Sequence, residues 1–157
     1  MIITATEADG PPIKDIAART GFFSQEEVEC VGEIWEDYLS LGPEGCGYHF
    51  IVDRDGDQVL GFACYGLRDL TSGVFDLFWI AVDPKSHRNG VGRGLLTASE
   101  ESVCQAGGRM LIAETSGTPL YEPTRKFYIG MGYTMEATIK DFYMKGDDLV
   151  IFVKRFS

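Results

Sequence analysis

One short segment of the chain, residues 81–96 with the sequence AVDPKSHRNGVGRGLL, has the composition of a phosphate-binding loop. It combines three glycines with three basic side chains, which are Gly90, Gly92, Gly94, Lys85, Arg88 and Arg93. Glycine lets an anion approach the backbone closely, and the free N–H groups and dipole of a helix N-terminus attract negative charge. An apolar run precedes the segment and a helix-like pattern follows it. The segment therefore predicts a bound phosphate group.

Two common phosphate-binding motifs do not fit this segment. A P-loop needs a Gly-Lys pair, and the sequence has none. A dinucleotide-binding loop needs the pattern GxGxxG, but the two frames place Leu95 and Thr97 at the last glycine. The segment also lies in mid-chain and not in an opening βαβ unit. The sequence thus favours a strand, a proline turn and a helix whose backbone N–H groups hold the phosphate.

Charge and composition narrow the class of protein. The 157 residues carry a net charge of −10, and residues 1–53 alone hold eleven acidic and two basic residues. Such a chain is a poor general binder of nucleic acid. No apolar run reaches the ~20 residues of a membrane span, and no secretory leader is visible. The four cysteines lack metal-ligand spacing, so we expect no metal. The length predicts a single domain over 1–157. Because neither a membrane span nor a leader is visible, we also expect no membrane partner and a cytoplasmic location.

The hydrophobic pattern predicts a mixed α/β domain built around one sheet. A short strand is followed by two helices, of which the second begins at a Ser24–Glu27 capping box and ends at Gly42. Two strands then flank the turn at 55–57, and a third long strand over 73–84 is apolar on both faces, as in a central strand. The later predicted elements are a helix over 90–106, a strand over 109–116, a helix over 122–132 and a hairpin over 133–156.

At residues 87–92 the chain resembles the GNAT superfamily of acyl-CoA-dependent N-acyltransferases. The family motif is Gln or Arg followed by xxGxG or xxGxA, and here His87 stands at the first position. This departure weakens one side-chain contact but leaves the backbone N–H groups in place. A second family motif, FYxxxGF, is similar to FYIGMGY at 127–133. Because the order of elements also matches, the resemblance covers nearly the whole chain.

The resemblance implies a GNAT-like α/β fold with a mixed, mostly antiparallel central sheet, about four flanking helices and a split between two central strands. A bulge in the third long strand would splay it from its neighbour and admit the pantetheine arm of coenzyme A. Acetyl-CoA is then the co-substrate, and its pyrophosphate is the group that the loop binds. The residues implied in cofactor binding are Ile80, Ala81, Val82, His87, Arg88, Asn89, Gly90, Val91, Gly92, Arg93, Gly94, Arg125 and Tyr128.

The resemblance also implies transfer of an acetyl group from acetyl-CoA to a primary amine by direct attack. A free alkyl ammonium has a pKa of ~10.4, so a base must take its proton near neutrality. Asp76, on the strand that leads into the loop, and Glu114, at the end of the neighbouring strand, are the two candidates, and the sequence does not decide between them. Tyr128 matches the family tyrosine that faces the sulfur and is the candidate acid. A backbone N–H near Val82 is the candidate oxyanion donor.

The acceptor site in this family is built mainly from the first two helices and the late hairpin. Its candidate residues here are Trp35, Tyr38, Phe142 and Tyr143, beside several acidic residues. Aromatic rings and carboxylates together favour a cationic amine, either a small molecule or a peptide. A homodimer is left open. The alternative function is a non-catalytic acyl-CoA-binding sensor or interaction module on the same fold, since His87 departs from the motif and no acceptor signature is present.

Overall fold

A computed structural model, which describes residues 1–87 and 89–156, has a seven-stranded sheet between two pairs of helices. The strands are β1 (Ile2–Thr4), β2 (His49–Asp55), β3 (Gln58–Leu67), β4 (Val74–Val82), β5 (Met110–Ser116), β6 (Thr134–Met144) and β7 (Asp147–Arg155). The helices are α1 (Gly10–Arg19), α2 (Gln25–Cys46), α3 (Val91–Gln105) and α4 (Glu122–Gly130). The predicted order of strands and helices is therefore confirmed.

The sheet has the order β1-β2-β3-β4-β5-β7-β6. Neighbouring strands run antiparallel, except that β4 and β5 are parallel. β4 lies in the middle of the sheet, as its two apolar faces predict. In the last hairpin β7 pairs with β5, and this leaves β6 as an edge strand whose residues are all exposed. The predicted mixed, mostly antiparallel sheet is confirmed.

Side chains alternate between two cores, one on each face of the sheet. In β3, Cys64 packs into the core under α1 and α2, whereas Tyr65 packs into the core under α3 and α4. In β4, Phe75 and Leu77 belong to the α3–α4 core, so Asp76 between them faces the α1–α2 side. This alternation decides which face of the sheet each functional side chain occupies.

Local sequence signals fix the ends of α2. The Ser24 side chain accepts a hydrogen bond from the Glu27 N–H at 3.1 Å, which confirms the predicted helix start. Gly42 has φ 70° and ψ 168°, so the regular helix is interrupted at the predicted position, and a last turn continues to Cys46. None of the helices in the described part of the chain has the length and hydropathy of a membrane span.

Candidate active site

The two central strands separate halfway along their length. β4 and β5 pair in parallel only as far as Leu77 opposite Ala113. In the ladder with β3, the register shifts around Phe78, which is an extra residue in β4 and forms a bulge. Residues 114–116 of β5 pair with β7 and no longer with β4. The predicted bulge and split are thus confirmed, and the backbone of β4 beyond Phe78 is open on the β5 side.

The split opens into a cavity of about 1080 Å³. A cavity of this size suits a cofactor together with a second small ligand. Its floor is formed by residues 77–82 of β4, and its walls come from the loop after β4, the start of α3, the end of β5 and α4. The loop between α1 and α2 covers another side, where the Phe22 carbonyl oxygen accepts a hydrogen bond from the Tyr121 hydroxyl.

The loop after β4 ends at the N-terminus of α3, which faces the cavity. Gly90 has φ 77°, a left-handed conformation that favours glycine, and its carbonyl oxygen accepts from the Gly94 N–H at 2.9 Å. The N–H groups before that bond have no partner inside the helix, and residues 90–93 line the cavity. His87 also lines it, whereas Arg88 lies outside the described residues. The arrangement is that of a helix N-terminus open to an anion.

A buried aspartate fixes the start of this loop. Asp83 accepts a hydrogen bond from the Lys85 N–H at 3.0 Å, and Nη2 of Arg19 lies 3.0 Å from its Oδ2. The Arg19 guanidinium, and after it the Lys85 N–H, hold the pKa of Asp83 below its usual value. Because Arg19 is the last residue of α1, the ion pair connects that helix to the loop.

The predicted cofactor residues divide between the cavity and its surroundings. Those that line the cavity are Ile80, Ala81, Val82, His87, Gly90, Val91, Gly92, Arg93 and Tyr128. Asn89 is exposed but is not part of the lining. Gly94 faces β1 instead, since an added Cβ there would lie 3.3 Å from Cδ1 of Ile2. We therefore regard Gly94 as a packing position.

Arg125 also has a different place from the predicted one. Its Nη1 donates hydrogen bonds of 2.8 Å to the carbonyl oxygens of Ser116 and Thr118. These bonds anchor α4 to the end of β5, and Arg125 is not among the residues that line the cavity. These bonds give Nη1 a structural role, and the predicted phosphate contact has no support from the cavity lining.

Tyr128 lines the cavity from the α3–α4 face of the sheet. Its ring stacks on Phe152 and meets Tyr133 edge-on, with 5.5 Å between ring centroids in each case. The residue is only 4% exposed, and this burial raises the pKa of its hydroxyl. The phenol is therefore protonated at neutral pH and can act as a hydrogen-bond donor or a proton donor.

The two candidate bases lie on the same side of the cavity and share one arginine. Both oxygens of Asp76 accept from Arg68, with Nε 2.8 Å from Oδ2 and Nη2 2.7 Å from Oδ1. The same Nη2 lies 3.3 Å from Oε1 of Glu114. The Asp76 hydrogen bond, with smaller contributions from Glu114, raises the pKa of Arg68. Asp76 is thus engaged by two short bonds, whereas Glu114 makes one longer contact and its side chain is 39% exposed.

Two of the aromatic residues predicted at the acceptor site belong to the core instead. Trp35 is 1% exposed, and its ring packs 5.1 Å from that of Phe50. The Tyr38 hydroxyl donates to the Ala5 carbonyl oxygen at 2.8 Å. Neither residue lines the cavity. The prediction was wrong for both because their side chains project from α2 onto the sheet, where they fill the α1–α2 core.

The late hairpin contributes one aromatic ring to the cavity. Tyr143 lines it, whereas its neighbour Phe142 is exposed and lies outside the lining. Partial burial, together with the charges of Glu114, Asp147 and Glu27, raises the pKa of Tyr143 to about 12. The tyrosine therefore lies among carboxylates that come from three different elements.

Several residues of this site were not predicted from the sequence. Those that line the cavity and were not predicted include Arg68, Glu26, Glu27, Thr115 and Asp147. Arg68 could have been predicted from the sequence, because it lies just beyond β3 and close to Asp76 in the antiparallel partner β4. Glu26, Glu27 and Asp147 had none, because the α2 N-terminus and the start of β7 approach the split only through long-range packing.

Comparison with known proteins defines the family. The model of the acetyltransferase (GNAT) domain matches residues 46–135, which is more than half of the chain. The structure also superimposes on a GNAT-family protein from Desulfovibrio desulfuricans with a TM-score of 0.95 and 39% sequence identity, over 99% of this chain and 98% of that one. The chain therefore belongs to the GNAT acetyltransferase family. No protein of curated function matches it.

More distant solved structures share the fold. The ribosomal-protein-S18-alanine N-acetyltransferase from Escherichia coli has a TM-score of 0.78 at 20% identity, over 100% of this chain and 94% of its own. The yncA protein from Salmonella typhimurium, solved with its cofactor acetyl-CoA, has a TM-score of 0.75 at 19% identity, over 100% of this chain and 94% of its own.

Proposed function

We propose that this protein is an N-acetyltransferase that transfers the acetyl group of acetyl-CoA to a primary amine. The observation that carries the proposal is the split between β4 and β5, because its cavity is lined at once by the α3 N-terminus, Glu114 and Tyr128. The family supports the acetyl donor. The Salmonella relative solved with acetyl-CoA and the Escherichia coli relative that acetylates an alanine supply the precedent for donor and acceptor.

The α3 N-terminus suits the pyrophosphate of the cofactor. Glycine inside a helix costs about 0.5–1 kcal/mol relative to alanine, so Gly92 needs a reason. An added Cβ there would meet only ordinary contacts, 3.5 Å from Cγ2 of Val82 and 3.7 Å from the Phe127 ring. Packing within the protein therefore does not account for glycine here, and a residue without a large side chain leaves the backbone N–H groups open to an anion. Arg93 and His87 add side-chain donors, and Arg88 stays a prediction.

Glu114 is the base in this proposal. It is the first residue of β5 beyond the last pair with β4, so its carboxylate stands at the opening of the split. Asp76 is engaged by Arg68 through both oxygens, whereas Glu114 has the freer carboxylate. We assign Asp76 and Arg68 the positioning of Glu114. At neutral pH well under a thousandth of a free alkyl amine is unprotonated, so removal of its proton is a substantial part of catalysis.

Tyr128 is the acid. When bound, acetyl-CoA supplies the acetyl thioester that the amine attacks. The new C–N bond forms as the C–S bond breaks, Glu114 takes the proton of the amine, and the Tyr128 hydroxyl gives its proton to the sulfur. The products are the amide and the free thiol, and solvent returns the proton from Glu114 to Tyr128. The buried phenol stays protonated until it is needed, and the Val82 N–H is available to hold the carbonyl oxygen.

The acceptor is a cationic amine. Glu26, Glu27 and Asp147 line the cavity together with Glu114, and the ring of Tyr143 stands among these carboxylates. Such a lining attracts an ammonium group through charge and cation–π contact and repels an anionic acceptor. A homodimer stays a prediction, which light scattering of the purified chain would test.

The experiment is an assay of thiol release. Purified protein is incubated with acetyl-CoA and a panel of amines that contains diamines, polyamines, aminoglycosides, amino acids and lysine peptides. We expect release of free thiol that depends on a cationic acceptor. Tyr128→Phe should lower turnover by about 100-fold or more while leaving the affinity for CoA nearly unchanged, because general acid catalysis contributes about that much.

Calorimetric titration with CoA completes the test. CoA binding without thiol release for any amine would support the non-catalytic sensor and contradict the proposal. Absence of CoA binding would contradict both. An unchanged turnover in the Tyr128→Phe variant would remove the assigned acid but leave the activity itself in place.

A further inference from the structure

A buried ion pair lies behind the proposed acid, in the core on the α3–α4 face of the sheet. Glu100 of α3 is 7% exposed, and Nζ of Lys154 lies 2.8 and 3.1 Å from its two carboxylate oxygens. The same Nζ donates to the Met131 carbonyl oxygen at 3.0 Å. A buried carboxylate costs free energy unless charged and hydrogen-bonding partners compensate for the lost water. None of these three residues lines the cavity, so the pair takes no direct part in catalysis.

Tyr133 connects this ion pair to Tyr128. Its hydroxyl donates to Oε1 of Glu100 at 3.2 Å, and Nζ of Lys154 lies 5.6 Å from the centre of its ring. Burial and the charge of Glu100 raise the pKa of Tyr133, so its hydroxyl remains a donor at neutral pH. The ring of Tyr133 meets that of Tyr128 edge-on, with 5.5 Å between the centroids. A chain of contacts thus runs from the ion pair to the ring of the acid.

The end of α4 brings the two tyrosines together. The Tyr133 N–H donates to the Tyr128 carbonyl oxygen at 3.0 Å, and the Gly132 N–H donates to that of Ile129 at 3.1 Å. These two bonds form the Schellman motif, which ends many helices and is frequently accompanied by an apolar contact between the same two positions. A phenylalanine would make that contact equally well, and phenylalanine stands at this position in the family motif FYxxxGF. The hydroxyl of Tyr133 and its bond to Glu100 therefore need a further reason.

The acid itself has no such anchor. Burial alone raises the pKa of Tyr128, and no hydrogen bond from the described ranges 1–87 and 89–156 contributes to it. The direction of its hydroxyl therefore depends on the packing of its ring against Phe127, Tyr133 and Phe152. Of these three neighbours, only Tyr133 is itself fixed by a side-chain hydrogen bond. A proton donor must lie within about 2.6–3.2 Å of the atom that it protonates, so a small rotation of the ring matters.

We propose that Tyr133 is a positioning residue for Tyr128 and that the buried ion pair anchors it. The Tyr133 ring limits the rotation of the Tyr128 ring and keeps the Tyr128 hydroxyl directed into the cavity. β7 supports both ends of this arrangement. Its Phe152 stacks on Tyr128, and its Lys154, two residues further along the same face, pairs with Glu100. The inference rests on the proposed function, because it takes Tyr128 to be the acid.

Two substitutions of Tyr133 test the proposal. Tyr133→Phe keeps the ring and removes the anchor, and kcat should fall by about 3- to 10-fold. The KM for the amine and the Kd for CoA should stay at wild-type values, because a misdirected donor slows the chemical step without weakening binding. Tyr133→Leu also removes the ring and should lower kcat by about 10- to 100-fold, which is no more than the loss expected in Tyr128→Phe.

A double-mutant cycle and a matched control separate positioning from a general structural role. Without the acid there is nothing to position, so Tyr133→Phe should leave the residual kcat of Tyr128→Phe unchanged. Tyr38→Phe is the control, since Tyr38 is 7% exposed and its hydroxyl bonds to the Ala5 carbonyl oxygen in the core on the other face. This control should lower the Tm and leave kcat unchanged.

Nuclear magnetic resonance of the ligand-free protein, labelled with fluorotyrosine, gives a readout that does not depend on activity. The Tyr128 signal is identified by its absence in Tyr128→Phe. In Tyr133→Leu this signal should report faster rotation of the Tyr128 ring than in the wild type, because the edge-on neighbour is gone. In Tyr38→Phe the rotation should be that of the wild type.

Four results would each overturn the inference. They are wild-type kcat in Tyr133→Phe, an equal loss from this substitution with and without the Tyr128 hydroxyl, CoA binding that weakens in proportion to kcat, and unchanged rotation of the Tyr128 ring in Tyr133→Leu. If the wild type releases no thiol with any amine, the proposed function fails instead. The ring rotation then decides by itself whether Tyr133 holds Tyr128 in place.

Discussion

Replacing Arg68 by methionine tests the arrangement of charges at the split. Asp76, whose side chain is 12% exposed, would keep its charge and lose a bidentate partner. Exposed ion pairs contribute about 0–1 kcal/mol, and removing one partner of a fully buried pair costs about 3–5 kcal/mol. Because Arg68 is 45% exposed, its pair with Asp76 falls between these limits. We expect the free energy of unfolding to fall by about 1–3 kcal/mol, measured by urea denaturation.

A second substitution tests whether the loss of stability in Arg68→Met comes from the unpaired charge of Asp76. In the Arg68→Met background, Asp76→Asn removes the unpaired charge, so the double variant should be more stable than Arg68→Met alone. In the wild-type background, the same Asp76→Asn change should be destabilising or neutral. If Asp76→Asn lowers stability further in the Arg68→Met protein, or if Arg68→Met unfolds at the wild-type urea concentration, the two charges are not coupled as described.

Two further predictions concern the phosphate-binding loop. Because Arg19 holds the pKa of Asp83 below its usual value, the stability lost in Asp83→Asn should be largest at neutral pH. This loss of stability should shrink as the pH falls below ~4, because protonated Asp83 no longer pairs with Arg19. Urea unfolding of both proteins at neutral and acidic pH measures the difference, and a difference that grows in acid would contradict the prediction. Gly90→Ala should cost about 1–2 kcal/mol of stability, because φ is 77° there. Gly130→Ala, at a position open to solvent in α4, is the matched control and should cost nothing comparable, so equal stability of the two variants would refute the argument.

The chain signals that predicted the fold were local ones. The capping box at Ser24, the break at Gly42 and the apolar centre of β4 each place an element correctly. The order of the last three strands has no such signal. β7 pairs with β5 and leaves β6 at the edge. The pairing depends on which strand of the hairpin buries more apolar side chains. Leu149 and Phe152 of β7 are buried, whereas β6 is exposed throughout.

The site was predictable where the chemistry depends on the backbone. The glycine and basic residues of the loop identify an anion site, because a helix N-terminus needs only free N–H groups and room. The aromatic residues were not predictable in this way. Trp35 and Tyr38 recur with Val31 at helical spacing, which is the pattern of a buried stripe, and the structure buries all three. Their residue types alone fit an acceptor site equally well.

The choice between the two carboxylates needed three-dimensional information. Asp76 and Glu114 occupy adjacent strands, and nothing in their spacing says which one an arginine engages. The parallel register places Glu114 just beyond the point where β4 and β5 separate. Both carboxylate oxygens of Asp76 accept hydrogen bonds from Arg68. The strand register and the Arg68–Asp76 ion pair together favour Glu114 as the base.

The turnover of the Glu114→Gln variant measures whether Glu114 is the base. The exchange keeps the size of the side chain and removes its basicity. With the best amine of the panel, we expect kcat to fall by about 100- to 1000-fold while the Kd for CoA stays at the wild-type value, because a general base contributes about that much. Asp76→Asn, the matched control on the neighbouring strand, should lose much less. A Glu114→Gln enzyme with nearly full kcat, or one less affected than Asp76→Asn, would contradict the assignment of Glu114 as the base at the split.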